Sequence, residues 1–228
     1  IKIGYATALR LLRMGASVIT VTRYPKSALD TYQKELDYQD FKDRLFIIGF
    51  DLMRVDRIQE LISRIETLCN GKLDILINNA AQTVKKSNDY YAQLEIQENQ
   101  LALPYDAKLM QLTPRDSMKF SLVPEGQVLD YSETPTSNSW VRKPEEISPQ
   151  ELLEVQLINV TAPFLLTNGL RHCLAYDNSV RKFVINVSSV EGRFNTKQKL
   201  ARHVHTNMAK ASLNMMTHSI ASDFVKDE

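Results

Sequence analysis

An α/β fold, a doubly wound parallel sheet with helices on both faces, is what this sequence predicts. Two observations carry the expectation. Strand-like and helix-like stretches alternate through most of the 228 residues, and such alternation sets successive strands parallel, with the connecting helices packed over both faces. The run Lys182 to Val187 is also nearly continuous in apolar side chains, the mark of a strand buried from both sides.

The elements follow in order. Ala8, Leu9 and Leu12 line one face of a helix from Tyr5 to Met14, with Gly15 as its stop. A β-branched strand from Ser17 to Thr22 comes next. A helix over Ser27 to Leu36 and an apolar strand over Leu45 to Gly49 continue the alternation. Val55, Ile58, Leu61, Ile62, Ile65 and Leu68 then recur at helical spacing, before a strand at Leu73 to Ile77. Ser148, Pro149 and Glu151 form a capping box ahead of Leu152, Leu153 and Val155, which predicts a helix reaching about Cys173. After the strand at 182–187, a last helix covers Asn207 to Phe224. The interval 84–147 breaks the rhythm. It is long, polar and rich in Pro, Ser, Asp and Glu, and is expected to be an insertion. One domain over 1–228 is the expectation.

Composition narrows the function classes. The 28 basic and 27 acidic residues leave a charge of +1, so no basic footprint exists for nucleic acid or an acidic membrane. Cys69 and Cys173 stand alone, without the paired spacing of a zinc site or a disulfide framework, and no metal is expected. No apolar run approaches the roughly 18 residues of a spanning helix. A cytoplasmic protein is the expectation.

Four landmarks carry chemistry. Ile3-Gly4-Tyr5-Ala6-Thr7-Ala8 suits a glycine turn entering a helix, where backbone N–H groups can approach a pyrophosphate. Asn78-Asn79-Ala80-Ala81 follows a strand directly, and small residues there leave room for a ligand; an asparagine-rich turn is the plainer alternative. In Asn159-Val160-Thr161-Ala162-Pro163-Phe164, Pro163 has no N–H to give the carbonyl of Asn159, which is freed within a helix. Finally come Asn186-Val187-Ser188-Ser189-Val190-Glu191-Gly192 and Asn207-Met208-Ala209-Lys210.

Together these landmarks resemble the short-chain dehydrogenase/reductase family over most of the chain outside 84–147. The resemblance implies a Rossmann-like NAD(P)-binding domain and hydride transfer between a nicotinamide cofactor and a small carbonyl or alcohol. It assigns Ile3, Gly4, Asn78, Ala80 and Ala81 to cofactor binding, and Asp51 with Leu52 to the adenine. Ser189 would bind the carbonyl, Asn159 a water, and Lys210 the nicotinamide ribose. The family's tyrosine, four residues before that lysine, is here Thr206. An aliphatic hydroxyl is too weak an acid to replace a phenol. His203 is a candidate substitute, because 203, 206 and 210 share a face if the helix has already begun.

Arg23 stands where an NAD-selective protein would present an acid to the ribose 2′-OH. Its planar fork favours NADP, with NAD possible, unless it is merely solvated. Asp51 could equally cap the following helix.

The resemblance places a central strand before Ile1, and further strands and a substrate lid after Glu228, so a fragment of a longer protein is expected. Without that strand, 17–22 and 73–77 should expose unpaired edges unless they close on each other. Helices 148–173 and 204–225 are the implied contact of a homo-oligomer. The alternative to an NADP-dependent oxidoreductase (EC 1.1.1-like) is a catalytically impaired nucleotide-binding pseudoenzyme. It would use 84–147 for a partner, with Tyr90, Tyr91 and Trp140 as anchors. A different nucleotide-binding α/β protein is disfavoured by the lack of G-x-x-x-x-G-K-[ST].

Overall fold

The computed structural model describes residues 3–86, 88–103, 105, 106, 108–113, 140–175, 177, 181–196 and 199–224. Along the chain run α1 (Ile3–Arg13), β1 (Val18–Thr22), α2 (Pro25–Gln33), α3 (Tyr38–Phe41), β2 (Leu45–Gly49), α4 (Ile58–Cys69) and β3 (Ile75–Asn78). They are followed by α5 (Asn88–Gln100), β4 (Leu109–Gln111), α6 (Pro149–Gln156), α7 (Ala162–Gly169), α8 (Arg171–Leu174), β5 (Phe183–Asn186) and α9 (Val204–Phe224). The described residues fall into two compact units, one within 1–68 and 88–117 and one within 69–87 and 118–228.

The first unit is built on a parallel sheet in the order β1-β2-β4. Val18 pairs with Leu45 and Thr22 with Gly49, while Ile47 pairs with Leu109 and Gly49 with Gln111. Leu9 and Leu12 of α1 join Tyr32, Phe41, Leu45, Ile47 and Leu109 in one buried cluster. Gly15, at φ 94°, turns the chain out of α1 into β1, a left-handed conformation that an L side chain resists. Four of the five β2 residues are buried, whereas all of β1 is half-exposed, as befits a strand with a neighbour on one side only.

The interval 84–147 is not irregular throughout, since α5 and β4 lie within it; residues 114–139 fall outside the described ones. Periodicity missed α5 because it carries no apolar stripe. Ile96 is exposed, and the buried side of the helix includes the carboxylate Glu98.

The second unit pairs β3 with β5 in parallel, Ile75 opposite Phe183 and Asn78 opposite Asn186. Ser148 caps α6 by accepting from the Glu151 amide at 3.1 Å. The single helix expected to Cys173 is instead α6, a wide π turn over Leu157–Thr161, α7 and α8. Pro163 explains the break. With no N–H for the Asn159 carbonyl, the ladder slips by one residue, and the Ala162 amide donates to the carbonyl of Leu157, five residues back. Val155, Ile158, Ala162, Leu166 and Leu170 are buried along this stretch, as are Ala209 and Leu213 of α9.

Among the described residues β1 and β3 are assigned to separate sheets. Among the described residues β1 pairs with β2 alone and β3 with β5 alone, so each has an unpaired edge.

Leu12 is fully buried and Leu36 fully exposed. Leu12→Ala should therefore lower unfolding stability in urea by about 2–5 kcal/mol, while Leu36→Ala should stay within about 0.5 kcal/mol of the parent. Equal effects would contradict the assigned core.

Candidate functional site

In the first unit the predicted cofactor residues lie at two places. Ile3 and Gly4 form the first turn of α1. Arg23 follows β1, and Asp51 and Leu52 follow β2, at one end of the same sheet, where the Phe50 amide donates to the Thr22 carbonyl at 2.9 Å. Arg23 is exposed, with its guanidinium 5.1 Å from the centre of the Tyr91 ring and 5.7 Å from that of Tyr24. Asp51 is used locally, its Oδ1 accepting from the Met53 amide at 3.0 Å, but it does not cap the helical turn at Val55–Arg57, whose N-cap residue is Arg54. Its own amide donates to Thr113 Oγ1.

In the second unit the ends of β3 and β5 are tied together, the Val187 amide donating to the Asn78 carbonyl at 3.0 Å. Lys210 reaches the same place from α9, and its Nζ donates to the Val187 carbonyl at 2.7 Å. The side chain is buried, and that burial lowers its pKa from the ordinary lysine value. Asn78 does not present its amide outward. Its Nδ2 donates to Asn186 Oδ1 at 2.8 Å and to Thr167 Oγ1 at 3.3 Å, while Asn186 donates onward to Thr217. This relay fastens β3, β5, α7 and α9 around the strand ends. Ala80 and Ala81 are exposed just beyond, leaving the strand end unobstructed by side chains.

Asn159, within the wide turn, is almost completely buried. Its side-chain amide clamps the loop after β3 from both sides: Oδ1 accepts from the Gln82 amide at 2.7 Å, and Nδ2 donates to the Gln82 carbonyl at 3.0 Å. Glu154 extends the clamp by accepting from Gln82 Nε2 and Lys85 Nζ. The loop position thus depends on α6 and the π turn. Gln82 and Glu154 went unnoticed in the sequence, although carboxylates at 151 and 154 beside buried Val155 were the available signal.

The remaining residues of the expected catalytic group are Ser189, Thr206 and His203. Ser189 is exposed, and its hydroxyl bonds to Glu191, whose pKa it lowers. Thr206 is buried, and its Oγ1 has no hydrogen-bond partner among the described residues; the same holds for Ser188 Oγ. His203 does not share a helical face with 206 and 210. α9 begins at Val204, and His203 precedes it at φ 40°, its carbonyl accepting from the Thr206 and Asn207 amides. Its ring is stacked on Trp140 at 4.1 Å, with Nδ1 2.9 Å from the Trp140 carbonyl. A ring held there is engaged with Trp140.

The histidine that turns inward is His205. It lies with Glu151 in a nearly closed pocket, Nε2 3.6 Å from Oε1, while Arg142 approaches the other oxygen at 3.4 Å. Burial depresses the His205 pKa below the ordinary histidine value, Glu151 pulling in the opposite direction.

Among the described residues no helix is long and apolar enough to cross a membrane.

Residues 2–101 match the family model for short chain dehydrogenase. The whole chain aligns at 34% identity over 238 positions with an uncharacterized protein of Acanthamoeba polyphaga mimivirus, and it spans half the length of that relative. Among solved structures, a metagenomic short-chain oxidoreductase in complex with NADP superposes at a TM-score of 0.64 with 16% identity. That match covers 100% of this chain and 72% of the other. A Brucella ovis oxidoreductase of the short chain family, in complex with a partially ordered NAD, superposes at 0.59 with 21% identity over 99% and 74% of the two chains. Likeness at these identities is one of fold.

A base whose pKa is lower in the fold binds its proton less readily there than in the unfolded chain. Stability from a neutral His205 is therefore complete above about pH 6.5 and is lost as the pH falls below it. Urea unfolding between about pH 7 and about pH 5.5 should show that decline, and His205→Gln should flatten it. Equal slopes for both proteins would show that His205 does not contribute.

Proposed function

We propose that this chain, whose residues 2–101 match the short chain dehydrogenase model, is an oxidoreductase of that family transferring hydride between NAD(P)(H) and a small carbonyl or alcohol. The observation that carries the reading is the Lys210 ammonium, buried at the shared end of two parallel strands and held by the Val187 carbonyl at 2.7 Å. A cation in that setting suits ribose hydroxyls and a developing negative charge beside them. The residues present fit a dinucleotide: exposed Ala80 and Ala81 lie beyond β3, and Ser188 and Thr206 offer buried hydroxyls with no partner among the described residues.

In this reading a bound cofactor would supply or accept the hydride, and the chain's residues hold the cofactor and orient the substrate. Lys210 holds the ribose side, Ser189 orients the substrate oxygen, and Asn159 fixes the loop through Gln82. The resemblance assigns cofactor contacts to Ile3, Gly4, Asp51 and Leu52 in the first unit and to Asn78, Ala80 and Ala81 in the second. Thr206 can donate a hydrogen bond but cannot serve as an acid unaided. His203 would have to leave Trp140 before it could assist.

Either nicotinamide cofactor satisfies this reading. Arg23, the residue that favours NADP, is packed against Tyr91 and Tyr24. A second reading, a nucleotide-binding protein with impaired catalysis, is favoured by the burial of Thr206 Oγ1. In it the interval 84–147 would hold a partner through exposed Tyr90 and Trp140.

Titration of the full-length protein with NADH and NADPH, then a panel of carbonyl substrates, tests the two readings. Binding followed by cofactor oxidation is expected, and Thr206→Tyr should raise turnover by about a hundredfold or more. Binding without oxidation by any substrate would support the impaired protein, and failure of both cofactors to bind would remove both readings.

A further inference from the structure

The second unit holds a buried acid and base that the proposed reaction does not use. Glu151 of α6 and His205, in the first turn of α9, are almost wholly buried, and His205 Nε2 lies 3.6 Å from Glu151 Oε1. Among the described residues Glu151 Oε1 and both ring nitrogens of His205 have no hydrogen-bond partner. The other carboxylate oxygen faces Arg142 Nη1 at 3.4 Å. A charge-assisted hydrogen bond ordinarily closes to about 2.7–2.9 Å, so the carboxylate stands between two nitrogen groups and is fully engaged by neither. Arg142 in turn ends a short segment fastened to the start of α9. The His203 amide donates to the Arg142 carbonyl at 3.1 Å, His203 Nδ1 lies 2.9 Å from the Trp140 carbonyl, and the two rings stack at 4.1 Å. Trp140 and Val141 are exposed, so little apolar burial holds the segment in place.

We propose that Glu151, Arg142 and His205 form a pH-sensitive latch: a proton on His205 draws Glu151 away from Arg142 and releases the segment Trp140–Arg142 from the start of α9. The direction follows from linkage. With Arg142 in place, an imidazolium at 205 meets a positive neighbour and a carboxylate already shared; with Arg142 gone, the whole charge of Glu151 is available to it. The proton therefore binds the released state more tightly, and by reciprocity it favours release. The charged groups that bear on His205 are Glu151 from α6, Arg142 from the segment and His203 ahead of α9. Glu154 of α6 is bonded to Gln82 and Lys85, and Glu191, in the turn at 190–192 that also packs on α9, takes the Ser189 hydroxyl. The π turn and β5, which pack on α9 as well, carry no charged side chain. Burial holds the His205 pKa below the ordinary histidine value, so the latch is closed at neutral pH and opens as the pH falls below about 6.5. Release also frees the His203 ring from Trp140, shortly before Thr206. The latch needs no cofactor and is independent of the nicotinamide reading.

Trp140 is the only tryptophan in the sequence, so quenching of its emission by acrylamide reads the latch directly in the full chain. Between about pH 7.5 and about pH 5.5 the closed-to-released ratio should fall about fivefold or more, seen as a rise in quenching while the far-ultraviolet circular dichroism stays unchanged. His205→Leu, which cannot take a proton, should stay protected at both pH values, and Arg142→Gln should be quenched at both as readily as the parent at the lower one. A parent protein whose quenching does not change overturns the proposal, as does a rise that comes only with loss of the circular dichroism signal. So does a His205→Leu protein that keeps the parent's rise, the result expected if protonation of His203 against Trp140 were responsible. Arg142→Gln as protected as the parent at the higher pH overturns it too, and if His205→Leu does not fold, the parent and Arg142→Gln decide.

Discussion

The bond from Lys210 Nζ to the Val187 carbonyl is the constraint on which the second unit turns. An ammonium is costly to bury, and it is tolerated here because one strand-end carbonyl is aimed at it. That carbonyl is fixed in turn, since the neighbouring amide bonds across to Asn78. The Asn78–Asn186–Thr217 relay and the Asn159–Gln82 clamp then hold the surrounding loops. Polar side chains that would be liabilities in a plain core thus serve to fix the shape of a strand end.

The first unit solves a similar problem with opposite charge. The orphan amides at the start of α2 find their acceptor in Glu98, more than seventy positions along the chain. A carboxylate so placed is favoured by the helix dipole, and it makes α5 part of the surface at the end of β1 rather than an appendage. The polar interval therefore contributes to the same sheet end that carries Arg23 and Asp51.

Much of the fold was legible because its elements bury apolar faces. The strand at Leu45–Gly49 and the helices carrying Leu12 and Ile65 read correctly, since periodicity reports burial. What could not be read lies where polar groups decide. α5 has a charged residue on its buried side, and β4 is only three residues long. The slip at 157–161 follows from Pro163, yet periodicity alone still suggested one long helix. For the site, the positions of Asn159 and Lys210 on their elements were readable, but their partners were not. A hydrogen bond from Asn159 to Gln82 spans a separation that no local pattern encodes. The helical placement of His203 depended on where α9 begins, and α9 begins one residue later, at Val204.

In the proposed reading Thr206 stands in place of a tyrosine while Lys210 is kept, and so that reading stands or falls on what the lysine is for. Unfolding stability and NADH affinity measured on the same preparation of Lys210→Met separate the possibilities. If the ammonium is kept for function, the apolar replacement leaves stability equal or higher, while NADH affinity is lost. Retained affinity with a large loss of stability would show that Lys210 is a structural cation, and would contradict the site described for this chain.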